Sequence, residues 1–388
     1  MRIGKPCAWK EISARWSVEL VGRSNFSAGW NSESNIPMNH ASNPPDPVVR
    51  PEVCAVETVS LQVADVQQSI LKVLTRQGLF GADSQHVIDY VFSPWLPAWG
   101  GLHLPYLSSM VRAMDLGEID PRGRILTVRD QPSLVHLDGS RAAGPVAMAY
   151  ATELLVEKAK ATGIAGAIIR NSSAIDRPEA VVATLAHRGL IGFMVSSTGR
   201  AEFSPVGDRT PRVAGHRSAW CLPAASSLTL ISTQVASLDS LMLLDPAQTE
   251  GQPAADLAFD KEGQPARSWN SARTFSLLTG EHDLQYGLLC GLLLAALSDG
   301  RLPTERAKKS PFGDDSEHLL LAIEPSSEMA ERFPPERLAA FVSSMKHPRA
   351  IQQLEKSPTL PATIEVPLAH QQMWIELLDE QRIEHPWK

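Results

Sequence analysis

The residues able to move a proton or grip an anion are few and far apart in this chain. His103 stands in the stretch "AWGGLHLPY", residues 98–106, which has no carboxylate, lysine or serine. Asp176 closes "NSSAID", residues 171–176, and His216 and Arg217 follow each other in "AGHR". An imidazole with a pKa of about 6.5 can give a proton near neutral pH. A carboxylate beside it fixes its tautomer, and a guanidinium holds a carboxylate through a planar fork. One arrangement pairs His103 with Asp176 as a proton donor and uses Arg217 for a substrate carboxylate. The plainer alternative is that His103 and His216 are ordinary, partly exposed histidines.

Other chemistries are excluded more firmly. No Gly-rich phosphate loop follows a strand, and the histidines lack metal-ligand spacing, so no metal is expected. The acidic run "DDSEH", residues 314–318, reads as a solvated loop. The 388 residues carry a net charge of -7, against the basic stripe that nucleic acid requires. Four cysteines, Cys7, Cys54, Cys221 and Cys290, form no close pair, which suits a reducing cytoplasm. No apolar run reaches the ~18 residues of a membrane span.

The elements that must position these residues follow from periodicity. Residues 1–55 are rich in Ser, Asn and Pro and read as a disordered extension. "SLQVADVQQSILKVLTRQGLF", residues 60–80, has a helical apolar period. Residues 85–92 and "LPYLSSMVRAMDLGEI", residues 104–119, add two helices, and Gly117 supplies a left-handed end. Two short strands lie in residues 126–139. A long helix then runs to Gly163, "IAGAIIRNS" is a buried strand, and "PEAVVATLAHRGL" is a helix. "IGFMVSST", "AWCLPA", "SLTLIST" and "HLLLAIEP" read as strands. "GLLCGLLLAALSDG" reads as a buried core helix and "PPERLAAFVSSMKH" as a late helix. Residues 243–275 are polar and turn-rich. The order predicts an α/β protein whose last helical region returns to the first. The expected division is 56–130 with 301–388 as a helical domain, and 131–300 as a central α/β domain.

In this order the segments resemble the malate/L-lactate dehydrogenase family, over roughly residues 60–345. "LPYLSSMVRAMDLGEIDP" is similar to the helix that follows the family's Ser-His-Gly motif. "HLDGSRAAGPVAMAYATELLVEKAKATGIAGAIIRNS" is similar to its Asp-Gly strand, long helix and Asn-Ser strand end. "LAHRGLIGFMVSST", "SPVGDRTPRVAGHRSAWCLP", "DKEGQPA", "YGLLCGLLLAALSDG" and "HLLLAIEP" follow in order. The resemblance implies a non-Rossmann mixed-sheet domain and a helical domain built from both chain ends. It implies NADH or NADPH as cofactor, a small 2-oxo or cyclic imino acid as substrate, and a homodimer. No nucleic acid or membrane is expected as partner.

The departures fall on the chemistry. The family's Ser-His-Gly positions are Ala98, Trp99 and Gly100, and its substrate arginine lands on His103. Its charge-relay aspartate falls on or near Ser232, and no acid occurs between Asp208 and Asp239. Ala174 and Asp176 replace the His and Gly of Asn-Ser-x-His-x-Gly, and Leu284 and Gln285 replace Lys-Gly before Tyr286. By resemblance Asn171, Ser172, His216 and Tyr286 face the cofactor, His216 and Arg217 from a loop. Trp99, His103 and Arg217 face the substrate. Trp99 cannot titrate; it fills a vacated pocket or stacks on a nicotinamide or other aromatic ligand. Three functions follow: an oxidoreductase with a relocated acid, an inactive homologue serving as ligand-binding or partner subunit, or a non-redox biosynthetic enzyme reusing the pocket.

Overall fold

Strand β1, Thr58–Gln62, pairs antiparallel with β12, Thr363–Pro367, so the two ends of the fold are stitched together before any helix begins. The helix expected from residue 60 therefore starts at Val63. Thr58 and Val59 are β-branched and suit an extended backbone, and β12 gives their backbone a partner. The structure, a computed structural model, describes residues 57–95, 102–224, 226–235, 241–245, 252–277, 281–298, 300–306, 316–325, 337, 340–341, 344 and 351–387. Ala98 and Trp99, the extension 1–55 and most of the late helix lie outside the described residues.

Helices α1 (Val63–Gln77), α2 (Gly81–Val91) and α3 (Leu104–Asp115) follow β1, and α7 (Leu368–Glu380) packs on α3. Gly78, at φ 102°, ends α1 in the left-handed conformation that glycine takes most readily. Trp374 of α7 is fully buried among these helices and its indole N–H donates to Ser69 Oγ at 3.0 Å. The last helical region does return to the first.

The rest is one mixed, mostly antiparallel sheet. Its strands are β2 (Leu126–Asp130), β3 (Leu134–Asp138), β4 (Ile164–Ser172), β5 (Ile191–Ser204), β6 (Val213–Pro223), β7 (Ser227–Gln234), β8 (Ala258–Phe259), β9 (Thr274–Ser276), β10 (Ser316–Ile323) and β11 (Ile351–Glu355). The main order is β11-β7-β6-β5-β10-β4-β3-β2, with β9 beside β5 and β8 beside β9. Among these pairings β3–β4 and β5–β9 are parallel. The sheet is not the parallel, doubly wound kind. A division at residue 301 fails on this evidence: β10 lies at the centre of the sheet and β11 at its edge. β10 is nearly all buried because it is covered on both faces, and its second half, LLLAI, is apolar throughout.

Helices α4 (Gly144–Thr162) and α5 (Pro178–His187) cover one face of the sheet, and α6 (Glu281–Leu297) covers part of the other. Successive residues of a strand point to opposite faces. Ile169 accordingly joins the core under α4 and α5, while Ile168 joins the cluster under α6. The expectation of a buried α6 is corrected. Leu289 is 64% exposed and Leu292 54%, with Leu288 and Leu293 beside them. A helix apolar all round has no polar face to betray which side meets solvent, so its sequence reads as buried.

Candidate active site

His103 is the N-terminal cap of α3, but its side chain makes no capping bond. Pro105 in the first turn needs no N–H partner, so the ring is free to turn toward the loop between β4 and α5. There Nδ1 lies 2.8 Å from Asp176 Oδ2. The other Asp176 oxygen accepts from the Tyr90 hydroxyl at 2.8 Å, and that hydroxyl accepts from the Arg177 backbone N–H at 2.8 Å. Arg177 Nε stands 3.7 Å from the Oδ2 that His103 uses. Tyr106 stacks on the His103 ring and donates to the carbonyl of Ala174 at 3.0 Å.

The loop holding Asp176 is fixed from below. The Gly144 N–H donates to Ser173 Oγ at 2.8 Å, and a Cβ on Gly144 would lie 2.5 Å from the Ser173 carbonyl and 2.6 Å from Ile175 Cγ2. Only glycine allows α4 to approach this closely. Burial alone would raise the Asp176 pKa. The His103 hydrogen bond, the charges of Arg177 and His103, and the Tyr90 hydroxyl outweigh it and hold the carboxyl at about 2. Asp176 is therefore ionised at neutral pH and accepts from Nδ1–H. That leaves Nε2 as the ring atom open to a ligand, and His103 lines a cavity of about 430 Å³.

Asp176, Arg177, Glu179, Arg217, Ser232 and His370 share that cavity. Arg217 donates to the Asp176 carbonyl at 3.0 Å. Ser232 hydrogen-bonds Glu179, whose pKa burial raises against its backbone hydrogen bond, Arg217 and Ser232. Glu179, in the first turn of α5, thus places a carboxyl beside Ser232. His370 Nε2 meets Asp245 Oδ1 at 2.8 Å and anchors α7 to the cavity wall. Sequence reasoning missed Tyr90, Arg177 and Glu179. The available signal was "DRPE", residues 176–179: three charges crowded around a proline at a helix start.

The residues expected at a cofactor do not converge. Residues 214–217 are strand, not loop, because β5 and β7 pair with β6 on both sides. His216 and Arg217 therefore face opposite sides of the sheet. His216 is 1% exposed, neither ring nitrogen has a partner among the described residues, and burial holds its pKa at about 3. It is not a partly exposed histidine. Tyr286 sits on His216's side and its hydroxyl bonds Ser218. Asn171, at φ 56°, donates to Asp138 Oδ2 at 2.8 Å. Ser172 shares a hydrogen bond with His318, which also meets Ser196.

Beside the dyad, Ser196, Ser197, Thr198 and Gly215 pack next to Arg217 and Leu241 and leave no room for a water-sized group. Ser197 Oγ accepts from the Gly199 N–H at 3.0 Å, Thr198 Oγ1 donates to Glu202, and the Gly215 N–H donates to Thr198 Oγ1 at 3.1 Å, so these groups are engaged within the protein. Among the described residues no group of His, Cys, Asp and Glu is placed to hold a metal.

The comparisons agree with this architecture. The chain is 24% identical over 268 residues to a malate/(S)-sulfolactate dehydrogenase of Methanothermus fervidus, covering 66% of this chain and 77% of that one. It is 24% identical over 253 residues to a Δ1-pyrroline-2-carboxylate reductase of Pseudomonas fluorescens, covering 62% and 75%. The solved malate dehydrogenase of Pyrococcus horikoshii has the same fold at a TM-score of 0.67 and 19% identity, covering 86% of this chain and 99% of that one. The Δ1-piperideine-2-carboxylate reductase of Pseudomonas syringae superposes at 0.64 and 17% identity, covering 82% and 99%. The sequence pattern of malate/L-lactate dehydrogenases matches residues 61–372, and the chain belongs to that family.

Proposed function

We propose that the chain is an NAD(P)H-dependent reductase of a small 2-oxo or cyclic imino acid, with His103 as its proton donor. The observation that carries this reading is the His103–Asp176 pair on the wall of a ligand-sized cavity. Asp176 accepts from Nδ1–H and fixes the ring's orientation, which leaves Nε2 to donate to the oxygen or nitrogen that gains negative charge. Arg217 and Arg177 flank the same cavity and supply positive charge for a substrate carboxylate. A nicotinamide bound beside the His103 cavity would supply the hydride. The names of the relatives, dehydrogenases of 2-hydroxy acids and reductases of cyclic imino acids, support this substrate class. Two free buried thiols, Cys221 and Cys290, support work in a reducing cytoplasm.

A second reading is a homologue that binds a ligand without turnover. It is favoured by the internal partners already held by Asn171, Ser172 and Tyr286. One experiment separates the two. Purified protein is titrated with NADH and NADPH while nicotinamide fluorescence is followed, and then assayed on a panel of 2-oxo and cyclic imino acids. The reductase reading expects enhanced fluorescence and turnover. His103→Gln should then lower kcat by ~10²–10⁴ without loss of cofactor binding. No fluorescence change at millimolar cofactor leaves the ligand-binding reading.

A further inference from the structure

A second cavity lies away from the His103 site and is richer in cations. It encloses about 890 Å³, and Arg200, Arg209, Arg212, Lys261, Arg273 and Arg306 line it against Asp260 and Glu262. It shares no lining residue with the His103 cavity. We propose that this cleft is a binding site for a phosphate-bearing anion, with Arg209 and Arg273 as its main contacts.

The charges must be weighed, because several of the six are already answered. Arg306 pairs with Glu317 at 2.6 Å, and Arg200 lies 4.0 Å from Glu202. Those two guanidiniums are buried and form a neutralised floor. Arg212 is 3.7 Å from Asp208, and Lys261 is 3.4 Å from Glu262. Asp260 is spent on its own turn, accepting from the backbone N–H groups of Glu262 and Gln264 at 3.0 and 2.8 Å.

Arg209 and Arg273 are different. Arg209 donates to the Gly263 carbonyl at 2.7 Å and lies over the Phe259 ring, 5.3 Å from its centroid. Arg273 donates to the carbonyls of Asn270 and Ala272 at 2.9 and 2.6 Å. Both are held by neutral groups, and neither has a carboxylate partner among the described residues. Two full positive charges are thereby fixed at the rim of one cleft. Carbonyls and an aromatic face orient them without cancelling them. Guanidinium forks match phosphate oxygens in geometry and charge. The hydroxyls of Thr210, Thr274 and Thr304 line the same space. The volume is that of a small organic molecule rather than a lone inorganic ion.

Two sources offer this chemistry: the diphosphate of a dinucleotide, and an independent phosphate ester. The first source rests on the reductase reading; the anion site does not.

The test is calorimetry with inorganic pyrophosphate and with NADPH on the wild-type chain and on Arg209→Ala/Arg273→Ala. Arg76→Ala, a surface change on α1, serves as the charge control. Pyrophosphate should bind wild type and the control, with affinity falling as salt is raised. The double variant should lose about tenfold or more. Its melting curve should stay that of the wild type, because both arginines are exposed. NADPH displacing pyrophosphate would assign the cleft to a dinucleotide diphosphate. Both ligands binding without competition would assign it to a separate phosphate ester. No pyrophosphate binding, or equal binding by the double variant, would overturn the proposal.

Discussion

Asp176 is the residue on which the site turns, because it answers three neighbours at once. Its depressed pKa means that folding favours the ionised form. The stabilisation is complete above pH ~4 and is lost as the pH falls through about 2. Asp176→Asn should therefore cost about 2 kcal/mol at pH 7 and less at pH 3. Urea unfolding at the two pH values measures it, and equal stability of variant and wild type at pH 7 would remove this account. His216 shifts in the same direction for a different reason: burial disfavours its charged form. A buried imidazole held neutral, with its pKa depressed to about 3, is stable above the unfolded value near 6.5 and loses stability as the pH falls below it. His216→Leu removes two ring nitrogens without partners. It should leave the Tm at pH 7 unchanged or higher and flatten its fall between pH 6.5 and 4. A lower Tm at pH 7 would mean that those nitrogens do find partners. The pairing of His103 with Asp176 was visible from residue types and family order. Arg177, Glu179 and Tyr90 were not, because the loop that aims them is shaped by α4 and α2, far away in sequence.

At the scale of elements, the contact between α4 and the 173–176 loop sets the geometry. Gly144→Val would drive a side chain into the Ser173 carbonyl and Ile175. The loop must move or the helix must lift, so a Tm drop of several degrees and a raised KM are expected together. A variant with normal Tm and normal KM would show that the loop is not braced here. Strongly periodic or wholly apolar segments were legible from sequence: α1, α3 and α4, the last two with the left-handed glycines Gly117 and Gly163, and the buried strands β4 and β10. Two readings failed for a shared reason. β1 is a strand because a partner arrives from residues 363–367, and β6 runs through residues 214–217 because neighbours pair on both sides. Local pattern carries no record of who pairs with whom.

At the scale of the whole molecule, the exposed face of α6 is the feature still without a function. Leu288, Leu289, Leu292 and Leu293 lie beside Trp220 and Ile231 of the sheet, all well exposed. An apolar patch of this kind marks a surface that meets another protein, and the homodimer implied by family resemblance names a second copy of this chain. If two copies pair through this face, Leu289→Glu/Leu293→Glu should give a monomer in light scattering after gel filtration, with the fold retained by circular dichroism. A wild-type chain that is already monomeric at 50 μM, roughly, would exclude the pairing. Fold class was readable from element order. The position of this surface was not, because composition records how apolar a helix is but not which side is covered.

The stitching of β1 to β12 also constrains how the chain comes into being. Ser69 and Trp374, joined by a buried hydrogen bond, are 305 positions apart. Contacts of such separation close late and slow folding. A ribosome delivers β1 and the first helices long before their partners, so β1 must wait as an unpaired edge. Glu365, Pro367 and His370, all on the His103 cavity, emerge long after His103 itself. A chain stalled before Thr363 lacks both the strand that pairs β1 and one wall of the cavity, so the site is formed only once residues 363–370 have joined the fold.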